Sequence, residues 1–328
     1  MALIVLGTLV GTVFFGLLDR LNSPPVVRGD DRARPLEAAI AEIDPAEVVS
    51  VLPRDAIAAI FETETVPAQE AELGEEDRVV GVVVGGWARA YPTNVLSAHE
   101  VANDRAGGIP FAVTWCPLCS TAVVYRRHVG EKTLSFGVSG SLYRNSLVLY
   151  DRETETLWSH LLGVGIRGPL RGTRLTTIPS VVTSWGAWRR AHPDTRVLDA
   201  GRAPYDPYET YFRSGRTGLE RVRRRDPRLR PKELVLAVLS PVAKAYSFRD
   251  LERLGRIEDT LAGRRVEVVY DARAESAAAF AVGEASRERL PSTPIFWFAW
   301  VDVVPGAPLW APPRKAVSGG GRAARPPS

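Results

Sequence analysis

The chain has 328 residues, of which 45% are hydrophobic and 24% are charged, so its composition is that of a globular protein and excludes a disordered or collagen-like chain. The net charge of +4 is small, and we expect no nucleic-acid partner. Two cysteines in the whole chain exclude a disulfide framework, so any thiol chemistry depends on a single pair. The length predicts about two domains.

The first element is an apolar segment, residues 2–18, which contains no charged residue and is followed at once by Asp19 and Arg20. It lies at the short limit of a spanning helix, which needs about 17 to 25 apolar residues. No clear small-residue cleavage site follows it, as a cleaved signal would require. We therefore predict that residues 1–21 are a transmembrane anchor, with a cleaved signal as the alternative. The body would then be membrane-anchored or secreted and would lie outside the cytoplasm.

Residues 22–77 are predicted to be a linker followed by a small helical segment. The linker is rich in proline and charge. Residues 55–61 have the pattern of a short helix that begins at an aspartate cap. The acidic stretch that follows, up to residue 77, is typical of an exposed loop.

A β-rich unit is predicted over residues 78–200. Short runs rich in valine and aromatic residues alternate there with glycine turns, which is the pattern of strands joined by tight connections. A short helix begins at Pro92, and a second is predicted over residues 183–191. Residues 201–231 contain the densest run of arginines and are predicted to be a basic, solvated linker.

A second β-rich unit, residues 232–310, is predicted to repeat the first. When the sequence is shifted by 155 residues without a gap, several residues of the first unit fall on identical or similar ones. The matches include Tyr91 on Tyr246, Leu96 on Leu251, Asp104 on Asp259, Gly108 on Gly263 and Val113 on Val268. The predicted fold is therefore α+β, mainly β, with two repeated units and short helices behind the hydrophobic anchor.

The second unit is predicted to be degenerate. The same shift places Cys116 on Asp271 and Cys119 on Ala274, so we assign the chemistry to the first unit. An aromatic strand over residues 294–300 is predicted near the end of the body. Residues 311–328 are rich in proline, glycine and arginine and are predicted to be disordered.

The CPLC motif, which begins at Cys116 and ends at Cys119, lies between two runs of β-branched and aromatic residues and is predicted to form a hairpin turn. Three interpretations of it remain open. The thiols could be a redox pair that exchanges with a partner disulfide. They could be two ligands of a metal. They could also form a local disulfide, which adds little stability because it closes a short loop.

His99 and Glu100 are the groups expected near the pair, because they lie on the short helix of the same unit. In the redox interpretation, Cys116 attacks, Cys119 resolves, and His99 or Glu100 assists proton transfer. In the metal interpretation, Cys116, Cys119, His99 and His160 surround zinc, iron or copper. A third alternative is a two-unit binding module without catalysis.

Four runs of the sequence resemble the bacterial and archaeal family called Domain of Unknown Function 3179. They are GGWARAYPTNVLSAHEVANDRAGG, FAVTWCPLCSTAVVYRR, LSFGVSGSLYRNSLVLYDRETETLWSH and IPSVVTSWGAWRRAHPDTRVL, in that order. The resemblance is close over residues 77–198 and extends more loosely to residue 300. The family has no settled activity, so the resemblance by itself implies none.

The chain departs from the family's pattern at three positions. Ser120 stands where a glycine usually follows the motif, Leu149 where a methionine is usual, and His160 where a glutamine is usual. Ser120 argues against a strict metal-binding turn, whereas His160 adds a potential ligand. The family includes selenoproteins at the cysteine motif, a resemblance that, if it extends to Cys116 or Cys119, favours redox chemistry over a closed structural metal site. We therefore expect a thiol-disulfide redox protein that acts on a thiol or disulfide partner protein, with metal binding as the alternative.

Overall fold

A computed structural model describes residues 33–61, 63–199, 206–240, 242–304, 306 and 308–312. The predicted anchor, residues 1–21, lies outside the described residues, as does nearly all of the predicted tail, residues 311–328. Across the described ranges, no helix combines the length and the apolar character that a membrane crossing needs.

The described chain is mainly β, with short helices between the strands, which confirms the α+β, mainly β prediction. In chain order, the first twelve strands are β1 (Arg34–Pro35), β2 (Val48–Ser50), β3 (Thr65–Pro67), β4 (Arg78–Val84), β5 (Trp87–Pro92), β6 (Val101–Ala106), β7 (Ile109–Cys116), β8 (Thr121–Arg126), β9 (His128–Val129), β10 (Lys132–Thr133), β11 (Phe136–Tyr143) and β12 (Ser146–Asp151). The others are β13 (Leu157–Ser159), β14 (Gly165–Arg167), β15 (Thr177–Ile178), β16 (Ser180–Ser184), β17 (Arg196–Leu198), β18 (Leu234–Val238), β19 (Val242–Ser247), β20 (Arg256–Leu261), β21 (Arg264–Asp271), β22 (Ser276–Val282), β23 (Arg287–Arg289) and β24 (Ser292–Phe296). The α-helices cover Leu36–Ala41, Thr93–His99, Trp185–Ala191, Glu209–Arg213, Phe248–Leu254 and Trp297–Val303, and a 3-10 helix covers Pro45–Glu47.

The strands form several small sheets, in which neighbouring strands are mostly antiparallel and joined by hairpins. The strand orders are β1-β19-β18-β24, β10-β9, β14-β13-β12-β11-β2, β15-β8-β7-β6, β16-β4-β5-β17-β3 and β20-β21-β22-β23. Strands β5 and β17 pair in parallel.

The β7–β8 hairpin positions the cysteines. It pairs Cys116 with Thr121, so the CPLC motif forms its turn, as predicted. Ala112 and Cys116 face one apolar core, whereas Val113 and Trp115 face a second core on the other side of the sheet. Both faces are therefore buried, which explains why this stretch of sequence is almost continuously apolar.

The β11–β12 hairpin lies beside the cysteine turn. Its two turn residues, Arg144 and Asn145, have φ of +50° and +62°. A two-residue hairpin turn with both residues in the left-handed region favours asparagine, because its short polar side chain tolerates that conformation. Asn145 is fully buried, so this turn points into the protein.

The prediction of a helix at residues 55–61 is wrong. Ile60 instead forms a bridge to Ala102, and its main-chain N–H donates to the carbonyl of Val101 at 2.8 Å. This hydrogen bond to the edge of a sheet replaces the local bonds of a helix, so tertiary contacts override the local pattern.

The aromatic strand predicted over residues 294–300 is only partly correct. The strand β24 ends at Phe296, and the helix Trp297–Val303 follows without a break. Side chains in both elements are buried, so a continuous apolar run does not reveal where the strand ends.

Candidate functional site

Cys116 and Cys119 are both free thiols and both buried, with 1% and 0% of their surfaces exposed. The Cys119 thiol donates to the main-chain carbonyl of Asn145, with Sγ and O 3.3 Å apart. Burial raises the pKa of Cys119 well above its ordinary value, and hydrogen bonding with the adjacent Cys116 side chain raises it further. The pair is therefore in mutual contact, and Cys119 is protonated at neutral pH.

The backbone of the CPLC turn is fixed on two sides. Within the turn, the N–H of Cys119 donates to the carbonyl of Cys116 at 3.1 Å. From outside, the N–H of Phe296 donates to the carbonyl of Cys119 at 2.8 Å. Ser120 completes the turn with φ of +53°, a conformation that glycine adopts without steric cost.

Ser120→Gly is expected to stabilise the folded protein by up to about 1 kcal/mol, because it relieves the left-handed strain of a residue with a Cβ. Urea unfolding measures this change. The matched control is Ser240→Gly in the exposed turn after β18, where φ is not positive. Equal destabilisation of both variants would contradict this expectation.

Glu100 is bonded through its backbone to β7, the strand that ends at Cys116. It ends the helix Thr93–His99 in a left-handed conformation, with φ of +58°, and its carbonyl accepts the N–H of Trp115 at 2.8 Å. Its side chain is buried, and burial raises the pKa of its carboxyl to about 8. Burial raises the pKa of the Tyr208 phenol, and Glu100 and Cys116 each raise it further, so both groups lie near that phenol.

His99 makes its hydrogen bond away from the cysteines. Its Nδ1 lies 2.7 Å from the carbonyl oxygen of Ala58, and the ring is half-buried. In the described structure, no hydrogen bond joins this ring to either sulfur.

His160 is fully buried, and neither of its ring nitrogens has a hydrogen-bond partner among the described residues. Burial lowers its pKa to about 4, with a weaker opposing effect of the Thr114 backbone, so the ring is neutral at physiological pH. Its main-chain carbonyl accepts a hydrogen bond from the Tyr125 hydroxyl at 2.7 Å, which fixes the His160 backbone in the core.

The predicted metal ligands are not assembled. Over the described ranges, no three side chains of His, Cys, Asp or Glu come together in a way that could hold a metal ion. The structure therefore does not bring Cys116, Cys119, His99 and His160 together as one set, and the His99 ring bonds to the carbonyl of Ala58.

A segment that we call the strap, residues 206–224, covers the cysteine turn. The Tyr211 hydroxyl donates to the carbonyl of Leu118, inside the CPLC motif, at 2.8 Å. Both cysteines raise the pKa of Tyr211 after the larger effect of burial, which places its phenol beside the pair. These residues belong to the predicted solvated linker, so that interpretation does not hold for the described part of it.

Two buried acceptors hold the end of the strap. The Asn145 Oδ1 accepts the N–H groups of Leu219 and Glu220 at 3.0 and 2.8 Å. The Asp302 Oδ1 accepts those of Arg223 and Arg224, both at 3.0 Å. Burial raises the pKa of Asp302 to about 6, and this carboxyl in turn raises the pKa of Cys119.

The profile of a family described as Protein of unknown function (DUF3179) matches residues 54–307, which is more than half of the chain. The chain belongs to this family. The comparisons found no similar protein of curated function and no similar solved structure. The resemblance carried by the four sequence runs is therefore confirmed.

The DUF3179 match extends beyond the cysteine unit and includes the strap and Asp302. The sequence predicted a site at Cys116, Cys119, His99 and Glu100 but did not indicate the groups that cover the cysteine turn. Two signals were available. The strap begins with DPYETYF, an aromatic run unlike a solvated linker, and Asn145 stands in a two-residue turn between strands.

Proposed function

We propose that Cys116 and Cys119 are a redox pair that exchanges with the disulfide of a partner protein. The observation that carries the proposal is the presence of two free thiols in one hairpin turn, whose backbone is held by hydrogen bonds on two sides. Thiols at this spacing can close into a disulfide and reopen by exchange.

In the proposed reaction, the Cys116 thiolate attacks one sulfur of the partner disulfide, forms a mixed disulfide and releases the other partner sulfur as a thiolate. Cys119 then attacks the Cys116 sulfur, which closes the Cys116–Cys119 disulfide and releases the second partner sulfur. Two electrons pass from the pair to the partner, and the two cysteine protons end on the partner thiols. The raised pKa of Cys119 favours the second role for it, because a protonated thiol is a poor first nucleophile.

Glu100 is proposed to carry the proton of Cys116. With a pKa of about 8, roughly a tenth of its carboxyl is ionised at pH 7, so it can accept a proton from the thiol and return it to a leaving thiolate. We assign this role to Glu100 rather than to His99 because the His99 ring is bonded to the carbonyl of Ala58.

Trapping a mixed disulfide distinguishes the two cysteines. Cys119→Ser is expected to accumulate a stable adduct with an aromatic disulfide reagent, because no second thiol remains to release it. Cys116→Ser is expected to react at least about tenfold more slowly, because its remaining thiol has the raised pKa. Intact-protein mass spectrometry measures both adducts, and the double variant is the control. Faster reaction of Cys116→Ser would overturn the proposed roles.

We also propose that the body consists of two copies of one unit. Strands β5, β6 and β7 have the same lengths as β19, β20 and β21, and each pair is separated by 155 residues. In both copies a buried tyrosine donates to an aspartate, Tyr91 to Asp104 at 2.5 Å and Tyr246 to Asp259 at 2.8 Å. The register of β4 against β5 differs by one residue from that of β18 against β19. The proposed alignment of the two copies therefore needs a gap of one residue before β5.

Reciprocal contacts between the copies support the same proposal. The carbonyl of Cys119 accepts the N–H of Phe296 at 2.8 Å, and the carbonyl of Ala274 accepts that of Ser184 at 3.4 Å. Phe296 and Ser184 each precede a helix, and the two helices, WFAWVDV and WGAWRRA, share the pattern Trp-x-Ala-Trp. The copies would thus exchange equivalent contacts while only one retains the thiols.

We propose further that the body lies outside the cytoplasm behind an anchor at residues 1–21. The uncharged run of residues 2–18 is the support for this placement. A thiol pair in that location would meet the oxidising conditions under which disulfides persist.

A further inference from the structure

The strap blocks the exchange that the proposed function requires. Both sulfurs are almost completely inaccessible, and the phenol of Tyr211 lies beside them. A partner disulfide has to reach Cys116 in line with the attacking sulfur. The closed structure is therefore a resting form, and the strap has to open before exchange.

The strap is tied to the rest of the described chain through side chains. It contains no strand, and no hydrogen bond joins its backbone directly to the backbone of another described element. The ties include Ser97 Oγ to Asp206 Oδ2 at 3.1 Å, Lys232 Nζ to the carbonyl of Ser214 at 3.1 Å, and the acceptors Asn145 and Asp302. A segment held in this way can open locally without unfolding the sheets.

Asn145 connects the strap to a thiol. Its main-chain carbonyl accepts the Cys119 S–H, and its side-chain oxygen accepts two N–H groups of the strap. The residue is fully buried in a tight turn, so a displacement on one side is transmitted to the other.

We propose that the strap is a gate whose closed position stabilises the dithiol form of the pair through Asn145. The inference rests on the proposed function. Forming the disulfide removes the S–H that Asn145 accepts and draws the Cys119 sulfur to about 2.05 Å from that of Cys116. The oxidised pair thus loses the hydrogen bond from Cys119 to the Asn145 carbonyl, which the closed strap favours. By reciprocity, opening the strap favours the disulfide.

Gly218→Ala opens the gate without altering a residue of the site. A Cβ at Gly218 would lie 2.1 Å from the Asn145 Oδ1, and φ there is +70°. Gly215→Ala is the matched control on the same strap, since its Cβ would meet open space and its φ is unexceptional. The native, reduced protein is treated with N-ethylmaleimide. Gly218→Ala is expected to be alkylated at least about tenfold faster than wild type, and Gly215→Ala within about twofold of it.

Hydrogen exchange of the strap tests the coupling. The amides of Leu219, Glu220, Arg223 and Arg224 are expected to exchange at least about tenfold faster in the disulfide form than in the dithiol form. Circular dichroism and thermal unfolding verify that Gly218→Ala retains its fold. Equal alkylation of the two glycine variants, or equal strap exchange in the two redox forms, overturns the gate. If Cys116 and Cys119 form no disulfide in any buffer, the proposed function is overturned instead. The alkylation rates of the two glycine variants then still show whether the strap controls access to the thiols.

Discussion

Glu100→Gln is expected to stabilise the folded protein by roughly 4 kcal/mol at pH 8 and to have little effect at pH 4. Burial raises the pKa of Glu100 from 4.5 to about 8, so the folded protein retains this proton over a range in which the unfolded chain releases it. As pH rises between these values, each unit therefore favours unfolding by about 1.4 kcal/mol. Glutamine has nearly the same shape and stays neutral, so the variant lacks this loss.

Urea unfolding at several pH values between 4 and 9 measures the effect. Asp302 and Asp206 also have raised pKa values, but they are present in both proteins, so the difference between wild type and variant reports Glu100. The control is Glu131→Gln at an exposed position, which should leave the stability unchanged. A stability difference that does not vary with pH would show that Glu100 is ionised in the folded protein.

The hairpin at the centre of the site was predictable because its sequence leaves few alternatives. Apolar and β-branched residues flank the CPLC motif on both sides, and Pro117 favours a turn. The bounds of helices and strands were less predictable in segments where apolar residues follow one another without a polar side. At Phe296 the strand passes into a helix while the aromatic pattern continues unchanged.

The choice between His99 and Glu100 depended on the bond between the His99 ring and the carbonyl of Ala58, which the sequence does not indicate. Both residues lie at the end of the same helix, and periodicity does not say which side chain faces the cysteines. The left-handed conformation of Glu100 ends the helix and pairs its carbonyl with Trp115, while its carboxyl is buried near Tyr208. The proposed second copy has Gly255 at the corresponding position, with φ of +67°. A glutamate in this conformation costs about 1 kcal/mol or more relative to glycine, and this cost supports the proton-carrying role that we propose for Glu100.

The cover of the site was not predictable because its parts are distant in sequence. Asn145 and Asp302 each accept consecutive backbone N–H groups from the strap. Neither residue lies in a sequence motif that predicts such a contact. The arginine content of the strap suggested a solvated segment. Its arginines are indeed largely exposed, whereas its aromatic residues pack on the core. Charge composition describes one side of the segment and not the other.

The redox state of the wild-type pair, measured across a series of thiol-disulfide buffers, tests directly whether Cys116 and Cys119 form a redox pair. We expect a cooperative, two-electron conversion of Cys116 and Cys119 from dithiol to disulfide, because both are free thiols of one hairpin turn and are the only cysteines in the chain. The midpoint is expected within the range of protein thiol pairs, roughly −270 to −120 mV. The protein is equilibrated anaerobically, quenched in acid, unfolded and alkylated.

Mass spectrometry then counts the alkyl groups. We expect two alkyl groups per chain in reducing buffers and none in oxidising buffers, with one transition between them. The double variant Cys116→Ser, Cys119→Ser should show no change. A pair that carries two alkyl groups in every buffer would contradict the redox proposal. So would a stoichiometric metal on the anaerobically purified protein that is lost in Cys116→Ser, since the thiols would then be ligands rather than exchanging groups.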